Sequence, residues 1–186
     1  MIPSLRAAYD EPQRRYHTLA HIEDCLARLA AISELSEHDR KLLTLAIWWH
    51  DAVYDPTRGD NEALSAELAG HDLSALNVPA SDVVEVQRLI MLTKGHEVGD
   101  DDRLGRLLVS IDLSILGAEP SVYRAYARAV REEYAHVPEA AYRMGRAHIL
   151  SSFLKAPRLF PDPAFAALEG PARANLQAEI AELTAE

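Results

Sequence analysis

The stretch on which the fold turns is Leu42-Leu43-Thr44-Leu45-Ala46-Ile47-Trp48-Trp49-His50-Asp51. Its apolar residues at 42, 43, 46, 47 and 49 recur at the spacing of one buried helical face. Ser36, with Asp39 three residues on, opens the same helix as a variant capping box. The run ends on an imidazole and a carboxylate set side by side at the edge of a core. Burying both is costly unless they are hydrogen-bonded, paired or bound to a metal. Taken alone, His50-Asp51 reads as readily as a hydrogen-bonded helix end.

Outward from this helix, the periodicity is helical nearly throughout. A helix is expected from after Glu11-Pro12 to about Ala31, with Leu19, Ile22, Leu26 and Leu29 on its stripe. Tyr54 to Asp60 reads as a loop punctuated by Pro56 and Gly59. Asp60 should cap a helix to about Leu76, and Ser81 one to about Leu92, closed by Lys94-Gly95-His96. Asp100, Asp101 and Asp102 suit a helix N-terminus, and that helix stops at Gly117. Pro120 opens a helix to about His136 and Pro138 one to about Lys155. The tail from Pro163 reads as two short helices parted by Gly170-Pro171. No alternating run makes a convincing strand. The expectation is an all-α bundle of about seven to nine helices in one domain over 1–186, with a core at about 12–155 and a helical extension at 156–186.

The bulk numbers agree. At 186 residues and 48% hydrophobic, the chain suits one globular domain. Its net charge of −10 argues against nucleic acid and anionic membranes, which call for a basic patch. A small phosphorylated ligand remains compatible, because a metal and a few local cations suffice for one phosphate. Cys25 is the only cysteine and reads as a small buried hydrophobe. With no signal-like N-terminus and no apolar stretch of about 20 residues, a cytoplasmic protein without a membrane span is expected. A homodimer is admissible.

His21 lies upstream of the His-Asp pair and Asp112 downstream. Imidazoles and carboxylates together suit a divalent ion such as Mn, Fe, Ni, Co, Zn or Mg, and the lack of further cysteines argues against a structural zinc. One ion is expected, able to lower the pKa of a bound water and to offset charge on a phosphoryl group. His17 and His21 stand four apart, the skeleton of a zinc-peptidase helix. The residue after His17 is Thr18, where that motif needs a general-base glutamate, so peptidase chemistry is discounted.

Four segments carry a resemblance: Arg15-Tyr16-His17-Thr18-Leu19-Ala20-His21-Ile22, His50-Asp51-Ala52-Val53-Tyr54-Asp55, Asn61-Glu62-Ala63-Leu64-Ser65-Ala66 and Asp112-Leu113-Ser114-Ile115-Leu116-Gly117. In this order they resemble the HD-domain superfamily, in a bacterial branch of predicted metal-dependent phosphohydrolases, over about residues 14–155. The resemblance implies an HD-type helical bundle that hydrolyses a phosphomonoester or nucleotide-like small molecule. It implies that His21, His50, Asp51 and Asp112 ligate the metal. Asp55 looks like the acidic position near the attacking water, and Glu62 is the other candidate. One departure stands at Ser110, where the branch leads one to expect an aspartate. That departure sustains a rival reading, a catalytically silent metal-containing binding or regulatory module.

His17, Arg15, Lys94 and His96 are candidate substrate contacts, with Arg103 and Arg146 as further cations. Each has a plainer alternative. His17 is equally a structural histidine, Asp55 a turn residue before Pro56, and Asn61-Glu62 a first helical turn. Arg124, Arg128, Arg131 and Glu132-Glu133 read as a mixed solvated face. His38, His71 and His136 read as surface residues, and the tyrosines as core or wall.

Overall fold

The computed structural model describes residues 3–185. Among the described residues nine α-helices follow one another: α1 (Pro3–Ala8), α2 (Leu19–Ala31), α3 (Glu37–Trp49), α4 (Asn61–Ala75), α5 (Ala80–Leu92), α6 (Arg103–Asp112), α7 (Pro120–Glu133), α8 (Glu139–Lys155) and α9 (Glu169–Thr184). Two 3-10 helices, Leu113–Gly117 and Pro163–Leu168, run into or out of longer ones. There is no strand among the described residues. No helix among them is long and apolar enough to cross a membrane.

The core forms where α2, α3, α5 and α6 press their apolar faces together. Ile22, Leu43, Ile47, Leu89, Ile90, Leu107, Leu108 and Ile111 are fully buried there. The Ser36 hydroxyl accepts from the Asp39 amide at 3.0 Å, which is the cap expected for α3. α4 ends on a left-handed residue, Asn77, with φ at 57°. Val78 donates to Leu73 and Asn77 to Ser74, a pair of bonds that satisfies the last carbonyls and folds α5 back on α4. Asp102 caps α6 by accepting from Gly105.

Several boundaries differ from expectation. The helix expected from residue 12 begins only at Leu19. Residues before it have found stronger partners than an i→i+4 ladder. The buried Arg14 guanidinium donates to the carbonyls of His17, Asp51 and Ala52 at 3.0, 2.7 and 3.1 Å. The amides of Arg15, Tyr16 and His17 donate to one oxygen of Glu133. His17 and His21 therefore do not share a helix. Asp60 makes no cap bond, because its carboxylate pairs with Arg58 at 2.7 Å. α5 starts one residue before Ser81, and α7 ends at Glu133 rather than His136.

The tail does hold two helices, but the 3-10 helix Pro163–Leu168 runs straight into the long α9 with no break at Gly170-Pro171, because Pro171 falls in the first turn of α9, where a missing N–H costs no helical bond. α9 lies antiparallel on α8, with Arg143 donating to Leu183, Arg146 paired with Glu179, and Arg173 donating to Leu154. Phe165, Ala172 and Leu176 join the main core.

Candidate metal centre

α3 delivers His50 and Asp51 as its helical ladder runs out. His50 is the C-cap, and its Nδ1 lies 2.9 Å from the Ile47 carbonyl. A carbonyl only accepts, so Nδ1 carries a hydrogen and Nε2 is the ring nitrogen that faces the cluster. The loop that follows is pinned from α4. Ser65 Oγ takes the Val53 amide, and the Asn61 side chain bonds both amide and carbonyl of Asp55. α2 supplies His21 from its first turn, and α6 supplies Asp112 as its last residue.

These side chains converge. His21 Nε2 lies 3.2 Å from His50 Nε2 and 3.2 Å from Asp112 Oδ1. His50 Nε2 lies 3.1 Å from Asp51 Oδ2 and 3.5 Å from Asp112 Oδ1. His21 Nε2 and Asp51 Oδ2 are 3.7 Å apart. Two donors on one ion, at bonds of about 2.0–2.2 Å and angles from square to tetrahedral, sit about 2.8–3.6 Å apart. Four of the five separations fall in that range, and His21–Asp51 lies at its edge. Both imidazoles are buried and both carboxylates nearly so. The residues present therefore fit a divalent cation.

The electrostatics agree. Burial opposes a charge on His50, yet Asp51 and Asp112 hold its pKa well above the usual histidine value. Burial likewise opposes charge on the two carboxylates, yet the histidines, His50 and His21 foremost, hold both well below the usual range. The cluster is built to surround positive charge.

Two neighbours extend it. His96 sits in a left-handed backbone conformation, φ 56°, unusual for a non-glycine residue, and places Nε2 3.1 Å from Asp112 Oδ2. Cys25, one turn after His21, brings its sulfur within 3.8 Å of that ring. His21, Cys25 and Asp112 form a second group of converging donors. Burial pushes the Cys25 thiol well up, so the neutral thiol is its resting form. As a residue Cys25 is the buried hydrophobe expected; its place beside His21 follows from the four-residue spacing.

The cluster opens into a cavity of about 600 Å³. Of the residues expected to meet substrate, His17, Lys94 and His96 line it, as do Glu62, Arg146, Asp51 and Asp112. Arg15 does not, since its side chain bonds Pro12 and Arg14 carbonyls and faces Glu132. Asp55 is also outside the lining; its carboxylate takes the Thr57 amide and hydroxyl and closes the turn before Gly59. Arg103 bonds the Glu34 carbonyl. Ser110 is fully buried, with its hydroxyl accepting from the Asp162 amide, so it belongs to the joint with the C-terminal segment.

Glu133 overturns the reading of a solvated face. It is buried, its Oε1 takes three amides, and its Oε2 receives the Tyr54 hydroxyl at 2.8 Å and faces His17 Nδ1 at 2.7 Å. Burial opposes its charge, but these partners, His17 first, hold its pKa down at about 2. The His17 ring is stacked on Tyr54 at 4.1 Å. Arg131 is likewise engaged, lying 4.5 Å over Tyr142 and donating to Tyr134 and Val137.

No protein-family model, curated protein or solved structure matches the chain.

Proposed function

We propose that this protein is a metal-dependent phosphohydrolase of HD type, acting on a small phosphomonoester through an activated water. One observation carries the reading: His21 on α2, His50 and Asp51 at the end of α3, and Asp112 on α6 converge at ion-sized separations, and the two carboxylates line an open cavity. The bound ion would lower the pKa of a water and offset charge on the phosphoryl oxygens. The two imidazoles favour a first-row ion such as Mn, Fe, Co, Ni or Zn over Mg.

The chain's own residues supply the rest. His50 Nδ1–H, fixed by Ile47, keeps Nε2 aimed at the ion. Arg14, bonded to the Asp51 carbonyl, holds the second ligand's backbone. Glu62 is the carboxylate in the cavity beyond the ligands, and serves as the group that orients or deprotonates water. Asp55 shapes the loop beneath it. Lys94 offsets phosphate charge at the rim. His17, backed by Glu133, presents its ring to the substrate. Ser110 is buried and bonded to the Asp162 amide, which supports Asp112 as the ligand of that segment.

His50→Ala and Asp51→Ala should each abolish bound metal and phosphoester hydrolysis while the far-ultraviolet circular dichroism stays helical. Turnover retained in both variants would defeat the reading. Stoichiometric metal and tight ligand binding without hydrolysis in the unaltered protein would favour a binding module.

A further inference from the structure

The cavity is far larger than a phosphate needs. Sites of about 300–1,000 Å³ hold whole drug-sized ligands, and this one measures about 600 Å³. The wall supplied by α7 and α8 is of a different character from the floor. Ala141, Gly145, Ile149 and Phe153 stand four residues apart along one stripe of α8, and all four line the cavity. Tyr126 and Tyr134 line it from α7 and its C-cap. Ile149 is 50% exposed there, an apolar side chain facing open space beside a buried polar cluster.

The positive charges around the cavity are largely spent. Arg146 is paired with Glu179 and lies over Tyr126. Arg58 is paired with Asp60. Among the described residues, Lys94 is the cavity lysine or arginine without an ion pair, and Glu62 stands against it in sign. That supply suits one phosphate and is poor for a di- or triphosphate.

Resting on the hydrolase reading, we propose that this wall is a leaving-group subsite for a flat, largely apolar body carried on a single phosphate, and that Gly145 sets its size. Tyrosine rings and an aliphatic stripe together give a flat body a broad apolar contact. Glycine in a helix interior is unfavourable relative to alanine, so it calls for a reason. Packing gives none: a Cβ at residue 145 would meet nothing within 4 Å. What a side chain there would take is the open volume of the cavity.

The full-length protein loaded with Mn²⁺ would be assayed on 1-naphthyl phosphate, glycerol 3-phosphate and adenosine triphosphate. The naphthyl ester should give the highest kcat/KM. Gly145→Leu should cut the naphthyl-over-glycerol ratio by about tenfold, mainly through KM, as filling an apolar pocket does. Ile149→Ser should lower the same ratio. Circular dichroism and metal content matching the unaltered protein would show that both variants fold. Preference for the triphosphate or the glycerol ester, or an unchanged ratio in Gly145→Leu, would overturn the subsite while leaving the hydrolase reading intact. If the protein hydrolyses none of the three, that reading fails, and calorimetric binding of 1-naphthyl phosphate decides the subsite. Binding about tenfold weaker in Gly145→Leu supports it; equal affinity overturns it.

Discussion

At the scale of single residues, chemistry that depends on adjacency is visible in the chain, and chemistry that depends on burial is not. His50-Asp51 announces itself because two ligand types stand together at the end of an apolar run. Glu133 does not, because its neighbours Arg131 and Glu132 make it look solvated, and only the fold brings three amides, a phenol and an imidazole to it. Arg14 is hidden for the same reason. The consequence for Glu133 is a pH dependence. Its pKa is about 2 in the fold against an ordinary 4.5, so its stabilising contribution is complete above about pH 4.5 and is lost as pH falls towards 2. Glu133→Gln should cost about 2 kcal/mol near neutrality, since an amide replaces a charged acceptor. The gap in melting temperature between the two proteins, measured with chelator present, should be constant from pH 7 to 5 and close between 4.5 and 2. A gap that ignores pH would show that the carboxylate is not the stabilising species.

At the scale of elements, helices whose ends are written in local capping chemistry are legible, and those ended by tertiary contacts are not. Ser36 and Asp102 cap α3 and α6 with their own side chains. α2 starts late because Arg14 and Glu133 take over backbone groups of residues 15–17. Gly117 reads as a helix stop, yet the fold shows a closer constraint. A Cβ there would lie 2.6 Å from Leu168 Cβ and 2.9 Å from the Leu168 carbonyl oxygen. Backbone cannot swing aside, so the 3-10 helix that begins after Asp112 would be pushed off the C-terminal segment. Gly117→Ala should lose about 2 kcal/mol in urea unfolding, the usual cost of overpacking. Gly145→Ala, open on all sides, should gain about 0.5–1 kcal/mol. Equal effects at the two glycines would mean that propensity, not the Leu168 contact, governs residue 117.

At the scale of the whole molecule, the sequence shows helices and ligand types but not how far apart they fold. The all-helical architecture follows from periodicity. The meeting of His21, His50, Asp51 and Asp112 depends on α2, α3 and α6 sharing one core, which no local pattern states. Ser110 shows the limit: two residues before Asp112, it is turned into the joint with Asp162 rather than towards the His-Asp cluster. The converging donors also make a thermodynamic prediction. The unfolded chain scatters them, so an ion that binds the fold stabilises it by mass action. At a free ion concentration of about 100 times Kd the gain is about 2.7 kcal/mol. For a chain of this size that corresponds to a rise in Tm of about 5–10 °C. Asp112→Asn keeps the shape but removes the charge that faces three histidines, and should erase most of the rise. Thermal unfolding with Mn²⁺ titrated into chelator-treated protein measures both. The same rise in the variant would place the ion elsewhere on the surface, and the four-residue centre would lose its claim to it.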